Sequence, residues 1–220
     1  MNAFHIKLIA IITMVIDHIG LFFFPENFLF RTIGRIAFPL FAWLIANGAY
    51  HTKNINKYLY RLLAFAFISQ IPFMMTNRLI DPSSVALNIF FTLSIGLVAI
   101  LFIKKTPMKI HWVLISAVCA ALATALGTDY GGFGVLSIVA FYIYFKNMKA
   151  MLISQIWIYV LMSLYFLYQG NALGLVEIFG LLALLAIAFY NDKEGPKMQY
   201  LFYLFYPVHY ALIYLVLTLF

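Results

Sequence analysis

The sequence predicts an all-α, polytopic integral membrane bundle of about nine transmembrane helices, with eight to ten as the bounds. Three observations predict it. The 220 residues are 65% hydrophobic and only 10% charged, with a mean hydropathy of +1.00, whereas soluble domains are about half apolar and about a quarter charged. The apolar residues fall into nine runs near the roughly 20 residues that a helix needs to cross a hydrocarbon core. Lys and Arg gather at alternate ends of those runs, as they do in multi-pass proteins whose cytoplasmic loops carry the basic excess.

Run 1, His5 to Phe24, stops at Pro25-Glu26-Asn27. It is too long for a signal-peptide core, lacks a small-residue cleavage site and contains Asp17 and His18, so it reads as a mature span. Run 2, Phe28 to Tyr50, carries Arg31 and Arg35. Run 3, Lys57 to Thr76, ends in the polar stretch Asn77 to Ala86, and run 4, Leu87 to Ile103, is closed by Lys104-Lys105-Thr106-Pro107. Run 5 is Ile110 to Gly127. Run 6, Gly131 to Phe145, is short and follows a Gly-rich entry, so a re-entrant half-span is the alternative there. Runs 7, 8 and 9 are Lys149 to Tyr168, Asn171 to Tyr190 with Glu177, and Met198 to Phe220 with His209. There is no internal repeat and no soluble remainder, so residues 1–220 read as one transmembrane domain.

Threading nine spans places Lys7, Lys53, Lys57, Arg61, Lys104, Lys105, Lys109, Lys146, Lys149, Lys193 and Lys197 on one side. Only Arg31, Arg35 and Arg78 fall on the other. Eleven against three puts the protein in the cell membrane with its N-terminus inside and its C-terminus outside. The 14 basic and 7 acidic residues are too sparse for a nucleic-acid footprint; the surplus suits anionic lipid or a phosphorylated cofactor. A single cysteine, Cys119, excludes a disulfide framework, a thiolate zinc site and an iron–sulfur cluster, and no helix face carries a His/Glu metal pattern.

Ionisable groups inside spans are costly in hydrocarbon and mark function by default. Counting the helical rise places His18 about 9 Å, Arg35 about 10 Å and Glu177 about 9 Å from the outer ends of their runs. One outer-leaflet layer thus collects a base, a guanidinium and a carboxylate. Histidine is the side chain suited to accept a proton near neutral pH, so His18 is the candidate base. Asp17, pointing about 100° away, either orients it or pairs with Arg35, and Arg35, Asn88 or Tyr130 is placed to stabilise an oxyanion. Arg31, Asn88, Asp129, Tyr130 and Glu177 are the candidate acceptor contacts. Lys53, Lys57 and Arg61, in the densest basic stretch, are candidates for a cofactor's phosphates. The structural alternative is an ion pair pinning runs 1 and 2 together, with His209 bonding a neighbouring helix.

Ile16-Asp17-His18-Ile19-Gly20, Ile33-Gly34-Arg35-Ile36-Ala37-Phe38-Pro39, Ala46-Asn47-Gly48, Ser69-Gln70-Ile71-Pro72-Phe73 and Asn88 to Leu93 resemble the TraX family of membrane proteins. Asp129-Tyr130-Gly131 and the ending Pro207-Val208-His209 extend the resemblance over nearly the whole chain. It implies an acetyltransferase that takes acetyl from cytosolic acetyl-CoA, needs no metal, and modifies an extracytoplasmic acceptor. The founding member is required to acetylate the N-terminal alanine of processed F-pilin, so the implied acceptor is a peptide or pilin amine, with a cell-envelope sugar or polymer as the alternative. More distantly, the chain is similar to membrane acyltransferases that modify extracytoplasmic sugars, whose first helix carries Arg, ten residues, then His. Lys7 and His18 hold that spacing here, with lysine in place of arginine. That likeness assigns Lys7 and His209 to the acyl donor. A small proton-coupled transporter and a structural partner of a secretion assembly are the rival classes, the first disfavoured by the missing repeat.

Overall fold

The computed structural model describes residues 1–196 and 198–219; Lys197, counted above among the inner charges, and Phe220, the end of run 9, lie outside the described residues. The chain is an all-helical membrane protein. Its helices are α1 (Ala3–Phe23), α2 (Phe28–Gly34), α3 (Ala37–His51), α4 (Ile55–Asn77), α5 (Ile89–Lys105), α6 (Lys109–Ala125), α7 (Gly131–Ile143) and α8 (Met148–Tyr168). A 3₁₀ segment (Ala172–Leu182), α9 (Ala183–Ala188) and α10 (Gln199–Leu219) complete the order. Among the described residues, five stretches are long and apolar enough to cross a bilayer: α1, the α2–α3 stretch Phe28–His51, α4, α8 and Tyr200–Leu219 of α10. α6, α7 and the Gly174–Ala188 stretch are apolar but shorter.

Asparagine opens five of the helices. Asn2, Asn27, Asn54, Asn88 and Asn147 accept from the backbone N–H groups of His5, Leu29, Lys57, Phe90 and Ala150. Each satisfies a donor that the first helical turn leaves without a partner, which is why polar punctuation between the apolar runs sets the starts so well.

Two runs expected as single helices are not. Run 2 breaks at Arg35 and Ile36 into α2 and α3. Pro39 has no N–H to give the Arg35 carbonyl four residues back, so that carbonyl loses its helical partner; Pro72 and Pro207 lie inside α4 and α10 without breaking them, so the proline marks the break but does not alone cause it. Run 8 is wound as an 11-residue 3₁₀ helix before six residues of α9, although 3₁₀ runs beyond three or four residues are uncommon. Two glycines account for the close packing that accompanies it. A Cβ on Gly174 would lie 2.9 Å from Phe166 Cβ and 3.0 Å from the Ser163 carbonyl. One on Gly180 would lie 2.6 Å from the Tyr159 ring and 3.1 Å from the Arg35 carbonyl. The tighter winding also lengthens the element: about 22 Å of 3₁₀ helix plus about 9 Å of α-helix reaches roughly the hydrocarbon thickness from only 17 residues.

The chain divides into two compact units. Unit 1 is Met1–Tyr50 with Ala140–Lys197, and unit 2 is His51–Val139 with Met198–Phe220. Within unit 1, α1 packs on α2, and the 3₁₀ segment packs on α8 and α2. Its start is tied down by main chain: Ala3 and Phe4 N–H donate to the Lys193 and Glu194 carbonyls at 2.8 and 3.1 Å, and Asn191 N–H donates to Met1 O at 2.9 Å. An aromatic stack links Trp43, Tyr50 and Phe145. In unit 2, α4 packs on α5 and α10, and α5 on α6. A short clasp joins two loops, with Leu87 N–H donating to Gly127 O at 3.0 Å and Asp129 N–H to Leu87 O at 2.9 Å.

Candidate functional site: a buried ion cluster in unit 1

α1 is apolar for most of its length, and Asp17 stands on its buried side with Ala10, Thr13, Met14 and Gly20. A carboxylate there is tenable only if opposite charge and hydrogen bonds are supplied. α2 supplies them, because the short 24–27 turn folds it back on α1. Arg31 Nη1 donates to Asp17 Oδ2 at 2.8 Å, and Arg35 Nη2 donates to Oδ1 and Oδ2 at 2.8 and 2.9 Å. Arg35 Nη1 then donates to Glu177 Oε1 of the 3₁₀ segment at 2.7 Å. Asp17 and Glu177 are 9% and 8% exposed.

The planar guanidinium of Arg35 is the bridge. Its two terminal nitrogens point to carboxylates on different elements, a geometry an ammonium cannot reproduce. Glycine makes the approach possible: a Cβ on Gly34 would collide with the Asp17 carboxylate, and one on Gly20 with Phe30. The Gly180 contact with the Arg35 carbonyl holds the 3₁₀ segment close in the same way. Two arginines and two carboxylates cancel formally, so the cluster carries no net charge into the apolar surroundings.

Of the residues singled out from the sequence, Asp17, Arg31, Arg35 and Glu177 are brought into this cluster. His18, the next residue on α1, is half-buried and sets its ring edge-on to Phe22 at 6.4 Å. Of the two parts open to Asp17, the structure displays the pairing with Arg35. With Glu177 in a 3₁₀ segment rather than an α-helix, its depth from Asn171 becomes about 12 Å instead of about 9 Å. Lys7 is half-buried on α1, within electrostatic reach of Glu194.

The remaining candidates belong to unit 2. Asn88 is fully buried, its Nδ2 donating to Gln70 Oε1 and the Ala66 carbonyl at 2.7 Å each while Oδ1 caps α5. All of its side-chain hydrogen-bonding groups therefore serve the α4–α5 junction. Gln70 completes that junction by donating to Ala86 O at 2.9 Å. The sequence reading gives Gln70 no role beyond the Ser69-to-Phe73 resemblance, although an amide inside run 3 was the available signal. Asp129 is exposed, and its carbonyl accepts from Thr92 Oγ1. Tyr130 holds a φ of 60°, uncommon for a non-glycine residue. His209 is 7% exposed among Phe205, Tyr206 and Tyr210. Its Nδ1 lies 3.2 Å from the Phe205 carbonyl, which can only accept, so Nδ1 carries the hydrogen. Arg61 sits 5.7 Å from the Tyr58 ring centre and hydrogen-bonds Tyr203, whereas Lys53 and Lys57 are exposed beside the Asn54 cap.

Sequence comparisons relate the chain to known proteins over nearly its whole length. A probable fimbrial assembly protein, FimC of serogroup H1, from Dichelobacter nodosus is 32% identical over 96% of this chain and 94% of its own length. The uncharacterized protein RP591 of Rickettsia prowazekii (strain Madrid E) is 35% identical over 34% of this chain and 32% of its own. No solved structure matches the chain. The family described as TraX protein matches residues 3–217, which takes in both units and every residue of the ion cluster, and the chain belongs to the TraX family.

Proposed function

We propose that this protein is an integral-membrane acetyltransferase that moves an acetyl group from cytosolic acetyl-CoA to an extracytoplasmic peptide or pilin amino terminus, with His18 as general base. The observation that carries the reading is the membrane-buried ion cluster set directly beside His18 in a chain that matches TraX from residue 3 to residue 217. That the Dichelobacter relative is a probable fimbrial assembly protein supports a pilin-linked acceptor. Asp17 and Arg35 act as positioning residues. By fixing α1 against α2 and the 3₁₀ segment they orient the helix that presents His18, since their charged atoms are engaged with one another and with Glu177. His18 removes the proton that the acceptor nitrogen must lose as its bond to the acetyl carbon forms, and the carbon–sulfur bond breaks to release CoA as the thiolate. Acetyl-CoA, when bound, supplies the activated acetyl carbonyl, and the exposed Lys53 and Lys57 suit its phosphates better than Arg61, whose guanidinium is occupied with Tyr58 and Tyr203. Incubating the purified full chain with acetyl-CoA and a pilin-derived peptide should add one acetyl group to the peptide amine by mass spectrometry. A peptide mass unchanged after long incubation, with an envelope polysaccharide acetylated instead, would transfer the activity to a sugar hydroxyl.

The same proposal includes nine membrane passages, with the N-terminus inside and the C-terminus outside. Two pairings support it. The backbone bonds that tie residues 1–4 to 191–194 join segments both assigned inside, and the Leu87–Thr128 clasp joins loops both assigned outside. Because Cys119 is the sole native cysteine, the arrangement is open to labelling. A membrane-impermeant maleimide should modify Ser83→Cys in intact cells and Lys105→Cys only after lysis; the reverse pattern would invert the topology.

A further inference from the structure

The ion cluster is not symmetric in its hydrogen bonding. Asp17 accepts three charge-assisted bonds spread over both oxygens, from Arg31 and Arg35. Glu177 accepts one, at Oε1, from Arg35. Its second oxygen, Oε2, is buried, and among the described residues no donor reaches it. A carboxylate oxygen withdrawn from water without a donor costs on the order of 1–3 kcal/mol or more, so this position calls for an N–H or O–H group from elsewhere. The groups beside it narrow the chemistry. A carboxylate or phosphate anion has no hydrogen to give that oxygen, whereas an ammonium would make the charge-assisted bond that is stronger than a neutral one.

We infer that Glu177 is the residue that takes hold of the acceptor's amino group, through Oε2, while Asp17 and Arg31 serve as the frame that holds Arg35 and, through it, Glu177. This rests on the acetyl-transfer reading above and deepens it, because it assigns acceptor recognition to the 3₁₀ segment and base catalysis to α1: the bound ammonium gives one proton to Glu177 and becomes the attacking amine, and His18 takes the second as the nitrogen–carbon bond forms and CoA leaves as its thiolate. The unusual winding of that segment then has a use: Gly180, pressed against the Arg35 carbonyl and Tyr159, fixes the height at which Glu177 meets Arg35.

Glu177→Gln is the informative substitution. Its amide oxygen can still accept from Arg35, while the NH₂ turns the open acceptor into a donor. The full chain in detergent micelles is titrated calorimetrically with a free-amine tripeptide, with the same tripeptide acetylated at its amino terminus, and with methyl glucoside. The wild type should bind the free amine, and binding should weaken about tenfold or more both in the acetylated peptide and in Glu177→Gln. As a check independent of any substitution, a hydrophobic carbodiimide should label Glu177 of the wild type, and the free-amine peptide should protect it. Equal affinity in wild type and Glu177→Gln, no protection of Glu177, or binding of methyl glucoside in place of the amine would overturn the assignment. Amine binding that depends on Glu177 but yields no acetylated product with acetyl-CoA would leave the assignment standing and overturn the transfer reaction.

Discussion

Asp17→Asn is expected to be the most damaging single substitution in the membrane-embedded part of the chain. The asparagine side chain fits the same space, but it presents one acceptor oxygen to two guanidinium groups and leaves the cluster with a net positive charge. Breaking a buried pair by removing one partner typically costs about 3–5 kcal/mol, because the remaining charge stays desolvated. Here the loss falls on three hydrogen bonds and on two elements at once, since Arg35 also holds Glu177. The expected result is a marked drop in the unfolding midpoint of the purified protein in micelles, with the exposed Arg78→Ala as a surface control. A second substitution should recover part of it: Arg31→Gln in the Asp17→Asn background leaves Arg35 against Glu177 and restores neutrality. A double-mutant cycle in which the two changes add without coupling would show that Arg31 and Asp17 do not act as a pair. An Asp17→Asn midpoint indistinguishable from that of the wild type would remove the cluster from its place as the fastening between α1, α2 and the 3₁₀ segment.

Why Asp17, Arg35 and Glu177 were legible in the sequence, and Gln70 was not, has a physical reason. A charge inside an apolar run is a large energetic exception, and counting residues from the ends of the runs is enough to bring such exceptions to a common depth. Arg35 meets Glu177 across 142 residues of chain, with Asp17 on its other terminal nitrogen, because each must find a partner in the same low-dielectric layer. A neutral amide is a smaller exception and is hidden in the same kind of run, yet Gln70 makes three hydrogen bonds that tie α4 to the start of α5. The winding of individual runs was legible only in part. Pro39 removes one N–H near the break before α3, yet Pro72 and Pro207 do the same inside unbroken helices, and Gly174 and Gly180 signal a close approach without saying that the helix would tighten to 3₁₀. That outcome depends on what faces them, namely Phe166, Tyr159 and the Arg35 carbonyl, and no local pattern carries it. The same limit explains Asn88. Its residue type and depth suit an oxyanion donor, and only the positions of Ala66 and Gln70 show that its amide is already engaged.

His18→Ala should separate chemistry from architecture. The ion pairs of the cluster are made by Asp17, Arg31, Arg35 and Glu177, and His18 lies half-buried on the neighbouring face of α1 against Phe22. Truncating it leaves every one of those pairs in place, so the unfolding midpoint should fall less than in Asp17→Asn. Acetyl transfer, by contrast, should fall by about 10²- to 10⁴-fold, the usual contribution of a positioned general base. Chemical rescue gives a second readout that a packing role would not move. Added imidazole should restore part of the rate in His18→Ala and none in Asp17→Asn, where the fault lies in the frame rather than in the base. Transfer that survives His18→Ala undiminished would take the histidine out of the reaction and leave the cluster as a purely structural fastening.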